Sequence, residues 1–325
     1  MRTLTRRAVL AAPGLALAAR ALPAWGEAYP TRPIRFVIPV PPGGGVDIIT
    51  RAIGQKLSDS VGVPVVAENK PGASAVIGTE LVAKAPPDGY TILMAYSAHI
   101  INPLLTKDVP YDPIADFTPI VRVGEIPLIL VVNPSLPVGS VQELIALARA
   151  KPGQLQFASG GAGAGAHLSG SLLNYLAKLD LTHIPYKGNA PALTDVIGGH
   201  VPIMFDTITT ALPYVKEGKL KALAVTGAKR SSLAPELPTM IEAGLPGFEV
   251  SAWYAVLAPA HTPPDVIARL NADINKVLGD GELRQRFAAQ GIEPAGGTPE
   301  QLASFLATER ERWTKVVAAT GMKAD

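Results

Sequence analysis

The sequence predicts an α/β protein of two lobes joined by two crossing segments, and three observations carry that prediction. Short β-rich runs alternate with helical patterns through most of the 325 residues, the pattern of α/β units with mainly parallel strands. Two long apolar stretches, Ile120 to Asn133 and Phe248 to Leu257, look like the same crossing run in opposite directions. A glycine-rich loop separates a strand from a helix once in each half. The length itself fits one large or two medium domains, at ~100–200 residues each.

The first 28 residues are set apart from the fold. Arg2, Arg6 and Arg7 form a basic start, Ala8 to Ala19 a short apolar stretch, and Gly26-Glu27-Ala28 a cleavage site with small residues. That apolar stretch is shorter than the ~20 residues a membrane-spanning helix needs. Thr5-Arg6-Arg7-Ala8-Val9-Leu10 also fits a twin-arginine signal, with an ordinary secretory signal as the alternative. Either route predicts export to the periplasm, with cleavage near Ala28.

The remaining elements follow in order. Ile34 to Ile38 predicts a strand, stopped by Pro39, Pro41, Pro42 and three glycines. A helix follows, with Ile49, Ile53 and Leu57 on one face. Val63 to Val66 and Thr91 to Ala95 are the next strands, with a helix from about Ser74 to Lys84 between them and a turn at Pro86 to Gly89. Ile120 to Asn133 holds Gly124 and Pro127 and exceeds a usual strand, which predicts two strands sharing a crossing point. A helix from Val141 to Ala150, a strand from Leu155 to Ala158, a glycine/alanine loop and a helix with Leu168, Leu172, Leu176 and Leu179 restart the alternation. Leu181 to Ile184, Val201 to Phe205 and Lys221 to Val225 read as further strands, and after Phe248 to Leu257 only helices are predicted. Thr298-Pro299-Glu300-Gln301 is a capping box with Pro at the first helical position. These boundaries place lobe 1 at 29–124 with 253–325 and lobe 2 at 125–252, with the C-terminal helices returning to lobe 1. A cleft between lobes is a preferred ligand site.

Composition narrows the function. Hydrophobic residues make up 48% and charged residues 17%, enough apolar material for a core. The formal net charge of +2 becomes about −1 once the four arginines and one glutamate of residues 1–28 are removed. That is no footprint for nucleic acid. There is no cysteine, which excludes disulfides, thiolate catalysis and Cys-based metal sites. The five histidines show no metal-binding helical spacing, and no nucleophile elbow, Walker motif or H-E-x-x-H is present.

The two glycine loops are the candidate site. Pro42, Gly43, Gly44 and Asp47 lie where a strand gives way to a helix. Glycines allow close backbone approach and the helix start favours an anion; Asp47 either belongs to the site or caps the helix. Ser159, Gly160, Gly161, Gly163, Ala164 and Gly165 repeat the arrangement in the other half. One loop per lobe points to a carboxylate or phosphate gripped from both sides. Gly161-x-Gly163-x-x-Ala166, with Asp180 19 residues beyond Gly161, also fits a loose dinucleotide fingerprint. Asp206 either meets a ligand donor or caps the next element. Trp253 and Tyr254 either wall the cleft or pack the hinge, with packing the better reading.

Dispersed blocks then carry a resemblance over residues 29 to about 320. Tyr29-Pro30-Thr31-Arg32-Pro33-Ile34, Pro42-Gly43-Gly44, Asn102-Pro103, Tyr111-Asp112-Pro113, Asp116-Phe117-Thr118-Pro119, Pro185-Tyr186-Lys187-Gly188 and Leu223-Ala224-Val225-Thr226 are similar to the Bug (Bordetella uptake gene) solute receptors. These are the periplasmic substrate-binding components of tripartite tricarboxylate transporters. The resemblance implies a type II periplasmic binding protein fold that closes on its ligand, with no catalysis and no cofactor. It implies a small carboxylate ligand, membrane permease subunits as partners and a monomeric receptor. Carried over, the ligand loops are the two above, flanked by Ser97 and Asp206. The family often has Ser or Thr where this chain has Ala164, and Tyr254-Ala255 also departs from its pattern. The alternatives from other classes are a periplasmic cofactor-dependent enzyme using the second loop, and a sensor that presents ligand to a signalling partner.

Overall fold

The computed structural model describes residues 29–322 apart from 44, 162 and 187. The expected export segment, and Gly44 of the first glycine loop, lie outside the described residues.

The first sheet begins with β1 (Ile34–Ile38), β2 (Val65–Asn69) and β3 (Thr91–Tyr96), with β1 parallel to both neighbours. β1 ends at Pro39 because a proline offers no ladder N–H. α1 (Gly45–Val61) connects β1 to β2 and buries Ile49, Ile53 and Leu57, the face read from the sequence. α2 (Val76–Ala83) and α3 (Ala98–Leu105) follow β2 and β3. The second sheet has the same grammar. β5 (Gln156–Ser159) is parallel to β6 (Thr182–Pro185) and to β7 (Ile203–Thr207). Each of the three is followed by a helix: α5 (Gly165–Ala177), α6 (Asn189–Ile197) and α7 (Ile208–Lys216).

The crossings correct the sequence reading. Residues 117–132 form one strand, β4 (Phe117–Val132), rather than two meeting at a crossing. Its first part pairs antiparallel with β9 (Ser251–Pro259), from Phe117↔Pro259 to Pro127↔Ser251. Its last five residues pair antiparallel with β7, and Ile129 to Val132 also pair with β8 (Lys221–Val225). Pro127 does not break the strand because it stands where β4 changes partners; the following N–H, of Leu128, bonds the Thr226 hydroxyl at 2.8 Å. Gly124 does not break it either. It admits another strand, since a Cβ there would lie 2.6 Å from the Glu293 carbonyl oxygen. That strand is β10 (Glu293–Gly296), antiparallel to β4, so the stretch after β9 is not helices only. With only Glu-Pro-Ala-Gly to show, it has no hydrophobic alternation to read. The sheets are therefore parallel within each βα series and antiparallel wherever β4 or β9 takes part.

α4 (Val141–Ala150), α8 (Pro264–Leu278) and α9 (Gly281–Ala289) cover the faces, and α10 (Pro299–Thr320) opens with the capping box read from the sequence. At 1.5 Å per residue α10 is ~33 Å long, and it touches both cores. Leu302 and Leu306 pack with Val37, Leu93 and Trp253, whereas Trp313, Val316 and the following Met322 pack with Leu172, Phe205 and Phe248. Between these halves Glu309, 6% exposed, accepts the indole N–H groups of Trp253 and Trp313 on Oε2, both at 3.1 Å. Arg312 pairs with its Oε1 at 3.1 Å. Burial raises the Glu309 pKa, with the Arg312 charge and the two indoles opposing the rise.

Glu309→Ala leaves two buried indole donors without an acceptor, each costing ~1–3 kcal/mol. Urea unfolding followed by tryptophan emission is expected to show a loss of about 2–4 kcal/mol. Glu309→Gln, which keeps an acceptor oxygen, should lose less.

Candidate functional site

In both sheets the parallel strands deliver their carboxyl ends to loops that start helices, the place where open α/β sheets bind ligands. On the first sheet, the loop after β1 carries exposed Pro42 and Gly43, the latter at φ +90. Asp47 is buried behind it, with both oxygens engaged. Oδ2 accepts the Gly43 N–H at 2.9 Å, and Oδ1 accepts Asn69 Nδ2 at 2.9 Å and Arg51 Nε at 3.0 Å. Burial pushes its pKa up, but Arg51, Gly43 and Asn69 together hold it below the usual carboxylate range. Asp47 thus pins the loop to the end of β2.

After β2 the chain makes a left-handed turn. Gly72, Ala73, Ser74 and Ala75 have φ of 133, 45, 53 and 81. The helix expected from Ser74 begins at Val76 instead. Left-handed conformation costs roughly 1–2 kcal/mol per non-glycine residue, so the surroundings must hold it; Asn102 Nδ2 donates to the Ser74 carbonyl at 2.6 Å. Ser97 precedes α3, its carbonyl accepting from Ile100 and Ile101 while its hydroxyl makes no cap bond.

On the second sheet, the loop after β5 is folded on itself. Ser159 Oγ lies 2.6 Å from His183 Nε2 and accepts the Gly161 N–H at 3.2 Å. Gly163 N–H donates to His167 Nδ1 at 3.1 Å, and the His167 and His183 rings stack 3.9 Å apart. Gly161 and Gly163, at φ +127 and +72, adopt conformations that side chains disfavour. Gly160 is required by close approach, since a Cβ there would meet Asn189 Oδ1 at 2.1 Å. A Cβ on Gly165 would reach the Leu128 side chain at 3.1 Å. Ala164 stands at the helix cap of α5, where it supplies no side-chain bond, and neither Gly188 nor Thr207 caps α6 or α7 with a side chain. The first-turn N–H groups of these helices have no partner within their own helix.

Asp206, at the end of β7, is 1% exposed. Its Oδ1 accepts Asn189 Nδ2 at 2.9 Å and Thr207 N–H at 2.8 Å, while Oδ2 has no partner among the described residues. Burial raises its pKa to about 6, with the Thr207 and Asn189 bonds pulling the other way. Asn189 therefore links Asp206 to Gly160, and three helix starts gather around these side chains.

The two sides face each other across a cavity of about 540 Å³, lined by Ala73, Ser74, Asn102 and Thr106 from the first and Gly160 and Gly161 from the second. Gly163 lies against Leu105 and Ile101 of α3, 3.4 and 3.6 Å from where its Cβ would be. The left-handed turn, Asn102 and Asn189 are the cleft residues that sequence reasoning missed. Trp253 packs at the crossing against Phe305 and Glu309, as read from the sequence, while Tyr254 directs its hydroxyl toward Gly45. Among the described residues no group of three or more His, Asp or Glu could hold a metal ion. The dinucleotide fingerprint meets a geometric objection. Asp180 precedes β6 and its carbonyl accepts the Gly153 N–H, so it sits at the amino end of a parallel strand, whereas the loop lies at the carboxyl end. A ribose held at the loop could not reach it.

The chain matches the profile of the tripartite tricarboxylate transporter family receptor over residues 49–322. Protein BugT of Bordetella pertussis is 40% identical over 311 residues, 95% of each chain. A solved R. palustris protein with adipate is 36% identical with a TM-score of 0.76, covering 91% of this chain and all of its own. MatC from Rhodopseudomonas palustris, with bound malate, is 34% identical with a TM-score of 0.71, covering 89% of this chain and all of its own. Among the described residues no helix is long and apolar enough to cross a membrane.

The Asp206 carboxyl yields a pH-dependent prediction. Its folded pKa of about 6 exceeds the unfolded 3.8, so its favourable contribution is complete below the unfolded value and is lost as pH rises through about 6. Asp206→Asn is expected to stabilise the ligand-free protein at pH 8 by roughly 3 kcal/mol at most. Melting curves from pH 8 down to pH 4 should show that gain disappear.

Proposed function

The chain belongs to the tripartite tricarboxylate transporter receptor family, and on that premise we propose that it captures a small dicarboxylate between the two sets of strand-end loops. Membership makes it a solute-binding receptor of that transporter type. The proposal adds that the receptor acts in the periplasm after removal of the first 28 residues, as a monomer, without catalysis, and hands its ligand to the membrane permease subunits. It also adds the residues. Pro42, Gly43 and Gly44 on one side and Ser159 to Gly165 on the other hold the carboxylate, with Ser97 and Asp206 at the flanks and Asp47 positioning the first loop. Lobe 1 at 29–124 with 253–325 and lobe 2 at 125–252 are the bodies that close, with α10 as a strut between them.

The observation that carries the ligand class is the gathering of three helix starts without side-chain caps, α5, α6 and α7, around Gly160, Asn189 and Asp206. Helix starts favour anions through oriented N–H groups and the helix dipole. The relatives solved with adipate and with malate support the same class. Backbone donors suit a receptor that must release what it binds, because they avoid the heavy desolvation cost of a buried ion pair.

A thermal-shift panel of di- and tricarboxylates, aromatic acids, amino acids and nicotinamide dinucleotides tests the reading. A ligand at 100 times its dissociation constant stabilises the native state by about 2.7 kcal/mol. Stabilisation by a dicarboxylate is expected, and Gly163→Val, which places a branched side chain at φ +72 beside Leu105, should abolish it. Stabilisation by a dinucleotide alone would sink the proposal and revive the cofactor-dependent enzyme.

A further inference from the structure

Tyr254 stands at the beginning of β9, opposite Tyr96 at the end of β3, and the register pairs them directly. Opposed residues of an antiparallel pair project from the same face of the sheet. The Tyr254 ring is packed in the core under α1, and the residue is 7% exposed. Its hydroxyl oxygen reaches the start of α1 and lies 3.6 Å from where a Cβ on Gly45 would stand. Neither Tyr254 nor Tyr96 makes a hydrogen bond to any described residue. Burial pushes both phenols up to about 12, so both keep their protons at physiological pH.

Gly45 is the second part of the observation. Its φ lies outside the left-handed region, so its conformation does not call for glycine. It occupies the first position of a 17-residue helix, where alanine is the stronger helix former. A Cβ there would stand 3.6 Å from the Tyr254 hydroxyl, between the first turn of α1 and a buried phenol with no hydrogen-bond partner among the described residues. The Asp47 carboxylate at the same helix end is turned to Gly43, Asn69 and Arg51.

We infer that the Tyr254 hydroxyl, with Tyr96 beside it, seats one carboxylate of the ligand on the first turn of α1, making Tyr254 a specificity-determining residue of the cleft. The inference rests on the dicarboxylate reading above and deepens it. The ligand's near carboxylate receives phenol and backbone donors on lobe 1, and its far end meets the second glycine loop. A phenol donating to a carboxylate forms a charge-assisted bond. A methyl group on Gly45 would occupy the position beside the Tyr254 hydroxyl that the acid takes.

Calorimetric titration of adipate and of malate into the wild-type protein, Tyr254→Phe and Gly45→Ala tests this. Tyr254→Phe deletes one oxygen and is expected to weaken binding by about tenfold to a hundredfold, as for a hydrogen bond to a charged group. Gly45→Ala should abolish binding while leaving the ligand-free melting temperature unchanged or raised. Affinities within twofold of wild type in both variants would overturn the inference and leave the receptor reading intact. If the wild-type protein binds neither acid, the dicarboxylate reading fails first and takes this inference with it. Should Tyr254→Phe melt several degrees lower, Gly45→Ala decides, since it removes no atom from the core: retained binding there overturns the inference and lost binding supports it.

Discussion

Everything about the architecture depends on one pair of antiparallel strands having to satisfy the backbone of two sheets at once. β4 enters the first sheet at Phe117 and leaves the second at Val132, and β9 runs beside it as far as Pro127. A strand that passes between lobes cannot leave N–H or C=O groups unpaired in the interior. The chain meets this requirement by changing partners at Pro127 and Leu128, with the Thr226 hydroxyl bridging the change: it receives the Leu128 N–H and lies 2.5 Å from the Val250 carbonyl. The link is therefore both continuous and thin, a suitable place for a hinge. α10 spans the same junction, and its Glu309 carboxylate bonds the Trp253 indole of β9 together with the indole of α10's own Trp313.

The second consequence concerns the ligand. Because both sheets end their parallel strands toward the cleft, what arrives there is loop backbone and helix starts. Side-chain charge is mostly spent elsewhere: Arg51 is paired with Asp47, and Arg122 with Glu125 at the crossing. The polar side chains left over are the Asn102 amide and the Asp108 carboxyl lining the cavity, the Asn189 amide and the Asp206 carboxyl beside Gly160, and the phenols of Tyr96 and Tyr254. Such a set can orient a small anion without the strong ion pair that would trap it. The stacked His167 and His183 belong to the support of this cleft, since Ser159 and the Gly163 N–H are bonded to them.

Sequence and structure agree at most local signals, with Gly124 and Pro127 inside β4 as the exception. The hydrophobic face of α1, the capping box of α10 and both glycine loops could be read because periodicity, cap chemistry and glycine each act within a few residues. The left-handed turn at Gly72 to Ala75 left no such signal. Ala73 and Ser74 are ordinary in a right-handed helix, and the turn is held by Asn102, 28 residues away. β10 was illegible for a related reason, because Glu293 to Gly296 form a strand only by pairing with β4.

The sequence by itself determined the α/β alternation, the two glycine loops and the resemblance to a solute-receptor family, because these depend on short-range chemistry repeated along the chain. Tertiary structure decided what the polar residues do there. It set Asp47 to brace the first loop, buried Asp206 with one oxygen unpartnered among the described residues, and separated Trp253 from its neighbour Tyr254. Adjacent residues on a strand point to opposite faces. Only the assembled sheets reveal that one of those faces meets Glu309 at the crossing and the other the start of α1 at Gly45.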